Sequence, residues 1–418
     1  MKMLINLRIK LHVFFHYLLL VAKGELKPGY FIRLLIRLNL FLSKLQHNKF
    51  GRIGRQTRLD LYVPSYPGRA FFTACDKFRT FGSKTPCTGA LLSVTSACVF
   101  ACEHCYQRLD KGSDMKLELL VDTARQLQQM GVCFFNIEGG EPFLRFDRLK
   151  AVCEVLDDRS EIWINSTGYG MTAEKLRQIN PYAVMFSLHS VKPEELNRFM
   201  GRDYAWEALL NGIEVCNACG VPFAFNTCLM ETAFSDGSFE AVMDFARDRG
   251  ASLVQVIKPK PAGAWLSDSA SMFSAAGMET AIEKVHNYNQ KSAYRSYPPV
   301  SAQIIEELPE VFGCTAGGTD RFYINAKGDV QPCEFLNLSF GNLADEAFTS
   351  IYARMRECFC HPGTCMLCER QAGKIYELYR EHNLECLPLD AELSRQVYEG
   401  WDRGELTDLY RQINESSR

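Results

Sequence analysis

The stretch that most constrains this chain is Cys98-Val-Phe-Ala-Cys102-Glu-His-Cys105. Three thiols at spacings of four and three, on so few residues, belong to a tight loop. Such a loop can wrap three thiolates around one iron–sulfur cube, because thiolates are the usual ligands of these clusters. A four-iron cube takes four ligands and the loop offers three, which leaves one iron open to a substrate or cofactor. The alternatives are a zinc knuckle or a redox cysteine cluster. Zinc sites usually show paired C-x2–4-C knuckles, and no partner pair lies nearby.

A chain of 418 residues, 47% hydrophobic and 23% charged, is globular with a large core and room for two or three domains. Its seventeen cysteines exceed ordinary core use, and disulfide scaffolds are short chains. Clustering by spacing favours metal and a reducing, cytoplasmic compartment. The net charge of −2 hides an asymmetry: residues 1–59 hold twelve Lys and Arg against the single acid Glu25, leaving 35 basic and 48 acidic residues for the rest. The N-terminal arm is therefore expected to meet something negative; nucleic acid is not expected.

Residues 13–22 are apolar except for His16, a run too short to span a bilayer. No small-residue cleavage site follows at Ala22-Lys-Gly, so a secretory signal is not expected. On a helix over residues 30–46, Arg33, Arg37 and Lys44 fall within roughly 40° of one another. This narrow cationic stripe on a broad apolar helix suits peripheral membrane contact through residues 1–50, on the inner face, or docking on the protein's own surface. Residues 56–78, with Pro64 and Pro67, read as an extended aromatic connector without helix. Strands are expected at 90–95, 132–137, 162–165, 183–188, 223–229 and 253–257, with amphipathic helices between them. Six strands each followed by a helix imply a parallel sheet curled into a partial (β/α)6 barrel of the TIM type. Working residues of such a barrel sit at the C-terminal ends of its strands. The cysteine loop follows the first strand and Gly139-Gly140-Glu141-Pro142 the second.

In these two motifs the chain resembles the radical S-adenosylmethionine (SAM) enzymes, whose signature is C-x3-C-x2-C; His104 precedes the last cysteine here and Tyr106 follows it. The resemblance implies a [4Fe–4S] cluster on Cys98, Cys102 and Cys105, with SAM on the open iron and reductive cleavage to a 5′-deoxyadenosyl radical. It implies that Gly139, Gly140 and Glu141 approach the methionyl part of SAM. Asn165-Ser166-Thr167-Gly168 and Ser187-Leu188-His189-Ser190 would supply hydroxyl and amide groups, and Arg198 would reach the SAM carboxylate or form a surface ion pair. His189 stands where relatives often carry an acid, and faces substrate or serves structure. Cys314, the Gly-x4-Cys at Cys333, and Cys358, Cys360, Cys365, Cys368 and Cys386 resemble the SPASM extension of radical SAM maturases, with gaps shortened by one. One or two auxiliary clusters, or a zinc ribbon through Cys365 and Cys368, would use them. Cys216 and Cys219 read as helix core. In sulfatase-maturing relatives an acid at the place of Glu334 acts as base toward the substrate radical.

The domains expected are an arm and connector (1–85), a radical SAM core (86–300), a SPASM-like auxiliary domain (301–390) and a tail (391–418). The expected activity is hydrogen abstraction from a peptide or protein, with a lipid-like substrate or a non-catalytic metal-binding role as alternatives. A flavodoxin or ferredoxin type donor would supply electrons. No leader-peptide-binding domain is recognisable ahead of the barrel.

Overall fold

The computed structural model describes residues 2–80, 87–267 and 273–415, so the boundary expected at 85/86 lies outside the described residues. Helices α1 (Lys2–Ala22) and α2 (Pro28–Lys44) come first, then the hairpin β1 (Gly51–Ile53) and β2 (Gln56–Arg58) and a helix α3 (Arg69–Asp76). The barrel runs β3 (Gly89–Ser93), α4 (Leu117–Met130), β4 (Phe134–Glu138), α5 (Phe146–Val155), β5 (Glu161–Ser166) and α6 (Ala173–Ile179). It continues through β6 (Ala183–Ser187), α7 (Pro193–Met200), α8 (Ala205–Cys219), β7 (Phe223–Cys228), α9 (Ser238–Arg249), β8 (Val254–Ile257) and α10 (Ala275–Gln290). Beyond it lie β9 (Val300–Ala302), α11 (Gln303–Glu306), β10 (Arg321–Ile324), β11 (Val330–Gln331), α12 (Phe348–Cys358), α13 (Leu367–Glu381), α14 (Ala391–Tyr398) and α15 (Asp408–Glu415).

The strands β3 to β8 are the six expected from sequence, all parallel. Both faces of a parallel sheet are covered, and β3 and β4 are buried at every position. The sheet is wider than six strands, with the order β11-β10-β3-β4-β5-β6-β7-β8-β9. β9 extends one edge across the boundary expected at residue 300, while β10 pairs in parallel with β3 at the other. The C-terminal region is thus built onto the barrel sheet through backbone hydrogen bonds.

The connector closes the N-terminal end of the barrel. Arg58 is buried there against Glu161 at the start of β5, with its guanidinium 4.7 Å from the Trp163 ring centroid. Glu161 also accepts from Ser65 N at 2.6 Å. The expectation of a helix-free connector is corrected by α3. Pro64 and Pro67 both precede it, so neither removes a hydrogen bond from its interior.

The arm has its own core, in which Leu34, Leu38 and Leu42 of α2 pack with Phe71, Phe78 and the tail residues Leu409 and Ile413. Arg37 is buried and donates to Phe78 O at 3.0 Å, and Lys44 Nζ donates to Glu310 O at 2.7 Å. The cationic stripe is therefore not a free surface: of its three residues Arg33 alone stands exposed. The α2 helix docks on the rest of the protein, because its apolar positions and two of its cations find partners there. The length expected for the first apolar segment is also corrected. α1 has 21 residues and is long and apolar enough to cross a membrane by length and composition. Its helix extends past the apolar run because Lys2, Asn6, Arg8 and Lys10 alternate with apolar residues without breaking it.

Candidate active site

The Cys98 loop leaves the C-terminal end of β3 and is held from below by α7 and from the side by the loop after β8. Ala101 N donates to Met200 O at 3.0 Å, Glu103 N to Phe199 O at 2.9 Å, and Ala264 N to Cys105 O at 3.1 Å. Burial pushes the Cys102 thiol up to about 12, and Cys105 and Cys98 are the charges that push it further. Three neighbouring thiols that resist ionising together suit a cationic iron group that neutralises them, so the donor set fits the cluster that the spacing implies.

The glycine motif ends β4 against this loop. A side chain on Gly140 would meet Ala97 O at 2.2 Å and Cys98 Cβ at 2.8 Å, and Gly139 has φ 149° with Thr95 O at 2.4 Å from its missing Cβ. The contact is closed by Gly140 N to Thr95 O and Glu141 N to Ala97 O, both 2.8 Å. Glu141 is wholly buried and faces the protein: it accepts from Ser166 Oγ (2.8 Å), Thr167 N (2.7 Å), Thr167 Oγ1 (2.6 Å) and Phe143 N (3.2 Å). Glu141 and Ser166 are thus a brace between the loops after β4 and β5.

Asn165, the penultimate residue of β5, has Nδ2 donating to Glu138 at 3.1 Å, while its buried Oδ1 has no partner. Ser187 ends β6 opposite Asn226, whose buried Oδ1 is likewise unpartnered. The orphaned Asn165 Oδ1 suits a polar ligand such as SAM, whereas Asn226, two strands away on β7, lines the small cavity described below. Arg198 lies exposed on α7, while Glu195 is paired with Lys192 at 2.8 Å. His189 Nδ1 accepts from Cys228 N at 3.1 Å, and burial, then His104, holds its pKa well below the usual imidazole range. It is structural on one side and meets a small cavity on the other. That cavity, of about 60 Å³, is walled by His104, His189, Asn226, Lys258, Trp265 and Phe335 among others. His104 packs 4.5 Å from His189 and is lowered to about 4 by burial.

Sequence reasoning passed over Glu138, Tyr106 as a contact, and the lysines Lys258 and Lys260. Glu138 is the last residue of β4, buried, and raised to about 8 by burial, with Tyr106 and Asn165 donating to it. Its place immediately before Gly139 was the available signal. Lys258 and Lys260 follow β8 and are buried in ion pairs that cross to Glu307, just after α11, and to Glu369 on α13. Lys258 meets Glu369 at 2.7 Å, and Lys260 meets Glu307 at 2.5 Å and Glu369 at 2.9 Å.

Of the seven C-terminal cysteines, Cys314, Cys333 and Cys368 wall one cavity of about 110 Å³. Cys368 is pushed up to about 12, first by burial, and feels Cys314; Cys333 is raised by burial and feels Cys368. These three fit an iron–sulfur group by the argument made for the first loop. Cys358, Cys360 and Cys365 gather around Arg403, whose Nη1 donates to Cys358 O at 2.8 Å and whose carbonyl accepts from Cys365 N at 3.3 Å; its charge meets that of Cys360. Cys386 sits elsewhere, beside Lys327 and next to Leu387, whose N–H binds Leu109 O at 2.8 Å. Cys216 is buried in α8, as expected of core. Glu334 accepts from Cys333 Sγ at 3.0 Å and lies 3.8 Å from Arg321. It does not wall the smaller cavity; the next residue, Phe335, does, and Phe335 walls both cavities.

Comparison with known proteins matches the two cysteine systems separately. The Radical SAM superfamily is matched over residues 92–246, and the iron–sulfur cluster-binding domain SPASM over 314–370. The AdoMet-dependent heme synthase of Oleidesulfovibrio alaskensis is 24% identical over 304 residues, 66% of this chain and 77% of that protein. The PqqA peptide cyclase of Streptomyces rochei is 24% identical over 259 residues, 59% of this chain and 68% of that one. Streptococcus suis SuiB bound to its precursor peptide SuiA superposes with a TM-score of 0.53 at 15% identity; 64% of each chain is covered, just under two thirds of SuiB. Native anSMEcpe with bound AdoMet gives a TM-score of 0.52 at 14% identity, over 79% of this chain and 97% of that one. At such identities these two likenesses are likenesses of fold.

Proposed function

The chain belongs to the radical SAM superfamily and carries a SPASM iron–sulfur domain, and we propose that it modifies a peptide or protein by abstracting hydrogen from one of its side chains. It is an enzyme whose cofactors are SAM and [4Fe–4S] clusters. When bound at the Cys98 loop, these supply a 5′-deoxyadenosyl radical, the chemistry that the protein positions rather than performs.

The size of the cavity at the mouth of the barrel carries the substrate reading. At about 60 Å³, beside the Cys98 loop, it leaves room for one side chain. It suits one inserted side chain, with the rest of a peptide outside. The names of two of the proteins matched, a peptide cyclase and an enzyme crystallised with its precursor peptide, agree with that class.

His104 and His189, both neutral, and Trp265 give the side chain an apolar wall, and the unpartnered His104 Nδ1 and Asn226 Oδ1 give it polar contacts. Phe335 separates this chamber from the cavity of Cys314, Cys333 and Cys368, so the substrate would lie between the two metal systems. Glu334 is turned toward Arg321 and Cys333, and the residue after it, Phe335, walls that chamber. A low-potential flavodoxin or ferredoxin is the proposed electron donor, in a cytoplasm reducing enough to keep all seventeen cysteines unpaired.

The test is isotope transfer. Short peptides encoded next to the gene are synthesised with deuterium at side-chain carbons and incubated with reconstituted enzyme, SAM and dithionite. Deuterium in 5′-deoxyadenosine is expected from one of them. Transfer from a nucleotide or a porphyrin, with none from any peptide, would overturn the reading.

A further inference from the structure

Eleven of the twelve large hydrophobic side chains that stand exposed among the described residues lie on α1 and α2; Met230 is the other. Met3 is 80% exposed, Leu4 67%, Phe15 61% and Ile32 61%. Together these eleven present on the order of 1,000 Å² of apolar surface, taking roughly 200 Å² for each large side chain. The largest patch on an ordinary soluble monomer is about 300–600 Å². At 100° per residue, the exposed apolar positions of α1 share one arc of roughly 160°. Ile9, Val13 and Tyr17, on the opposite side, are buried.

The exposed charges around this surface are five cations against one acid. Arg8 and Lys10 stand near the two edges of the α1 arc, Lys23 and Lys27 flank the turn between the helices, and Arg33 projects from α2; all five are exposed. The one exposed acid on this hairpin is Glu25. A broad apolar face rimmed by cations is the geometry of a helix lying in the plane of an anionic membrane surface.

From this we infer that the α1–α2 hairpin seats the enzyme on an anionic lipid bilayer, α1 lying in the interface with its exposed face among the acyl chains. A second copy of the chain is the poorer occupant, since a two-fold pairing of this face would bring its like-charged rims together. Spanning the bilayer would strip α1 from the protein. Its inner side is fixed by Tyr17 Oη donating to Asp76 at 2.9 Å, by His12 Nδ1 against Tyr66 Oη at 2.9 Å, and by His16 stacked on Phe72. The surface is the outer face of the same hairpin whose inner residues Leu38 and Leu42 wall the cavity of Cys314, Cys333 and Cys368. Docking would therefore bring the auxiliary region close to the lipid.

The test is flotation of the full-length reconstituted enzyme with vesicles of phosphatidylcholine carrying roughly 30% phosphatidylglycerol. The variant Leu7→Glu/Leu11→Glu/Leu18→Glu changes side chains that are 54%, 49% and 40% exposed, so the fold does not depend on them. Its SAM cleavage, measured without vesicles, reports that the fold survives. Wild-type enzyme is expected to float, more weakly at high salt and on pure phosphatidylcholine, and the variant to bind at least tenfold less. Equal flotation of the two proteins, or no flotation of wild type, would overturn the inference. So would a wild-type dimer that the variant abolishes without any lipid binding. Wild type that resists alkaline carbonate extraction would contradict the in-plane geometry in favour of a span.

Discussion

Replacing Lys260 with methionine removes the cation that Glu307 is paired with and one of two that serve Glu369. Lys260 is 1% exposed and its partners 17% and 16%, so water replaces little of what is lost. Glu369 keeps Lys258 at 2.7 Å, which leaves one orphaned carboxylate. Breaking a buried pair from one side costs about 3–5 kcal/mol, and the slight exposure of Glu307 argues for about 3. Glu369 follows Cys368, so the loss falls on the join between the barrel and the auxiliary cavity. Lys260→Met is expected to lower the stability of that region on the order of a hundredfold in population, and with it the iron retained beyond the first cluster. SAM cleavage should change much less. Lys260→Met/Glu307→Gln removes the orphan as well and should regain a large part of the loss, which a packing defect would not allow. The deficit should hold across neutral pH. Against the opposing effect of burial, Glu307 and Glu369 hold Lys260 well above its ordinary value, so its contribution is complete below about 10.5 and fades only as pH rises through the higher folded value. Glu369 is held low, against burial, by Lys260 and Lys258, and its contribution is complete above about 4.5 and fades as pH falls. Iron content, thermal unfolding and the double variant together decide the matter. A single variant with wild-type iron and stability, or a double variant no better than the single, would refute the electrostatic argument.

Glu138, raised to about 8 by burial, holds its proton in the folded protein where the unfolded chain has lost it, so its stabilising effect is complete below about 4.5 and disappears as pH rises through 8. Glu138→Gln does not titrate, so denaturation at pH 6 and pH 9 should show wild type losing up to a few kcal/mol relative to the variant; parallel curves would contradict the assignment. Cys333→Ala should lose the auxiliary iron of the Cys314 cavity, whereas Cys386→Ala, beside Lys327, should keep it. Equal losses in the two variants, by metal analysis, would show that Cys386 joins that site.

The six barrel strands and the cysteine loop were legible because buried parallel strands read as short apolar runs, and functional residues interrupt the sequence where those runs stop. The pairing of β10 with β3 joins residues more than two hundred positions apart and leaves no local pattern to read. Arg33, Arg37 and Lys44 show a related gap. Their helical spacing was read correctly, yet periodicity cannot say that Arg37 finds Phe78 O or that Lys44 finds Glu310 O. The apolar face left over belongs mainly to α1, whose flanking polar residues made its run look half its real length. Glu141 and Ser166 were placed rightly at strand ends, but whether such groups face a ligand or brace each other depends on which loops touch. Lys258 and Lys260 were passed over for the same reason, since buried ion pairs between distant segments look like surface charge in a sequence.

The account rests on three thiols holding a cluster that cleaves SAM. The most direct measurement reconstitutes the wild type and Cys98→Ala/Cys102→Ala/Cys105→Ala anaerobically with iron and sulfide, adds dithionite and SAM, and quantifies 5′-deoxyadenosine beside bound iron. The triple variant is expected to lose 5′-deoxyadenosine completely while retaining the iron of its C-terminal cysteines. A triple variant that still forms 5′-deoxyadenosine would contradict it.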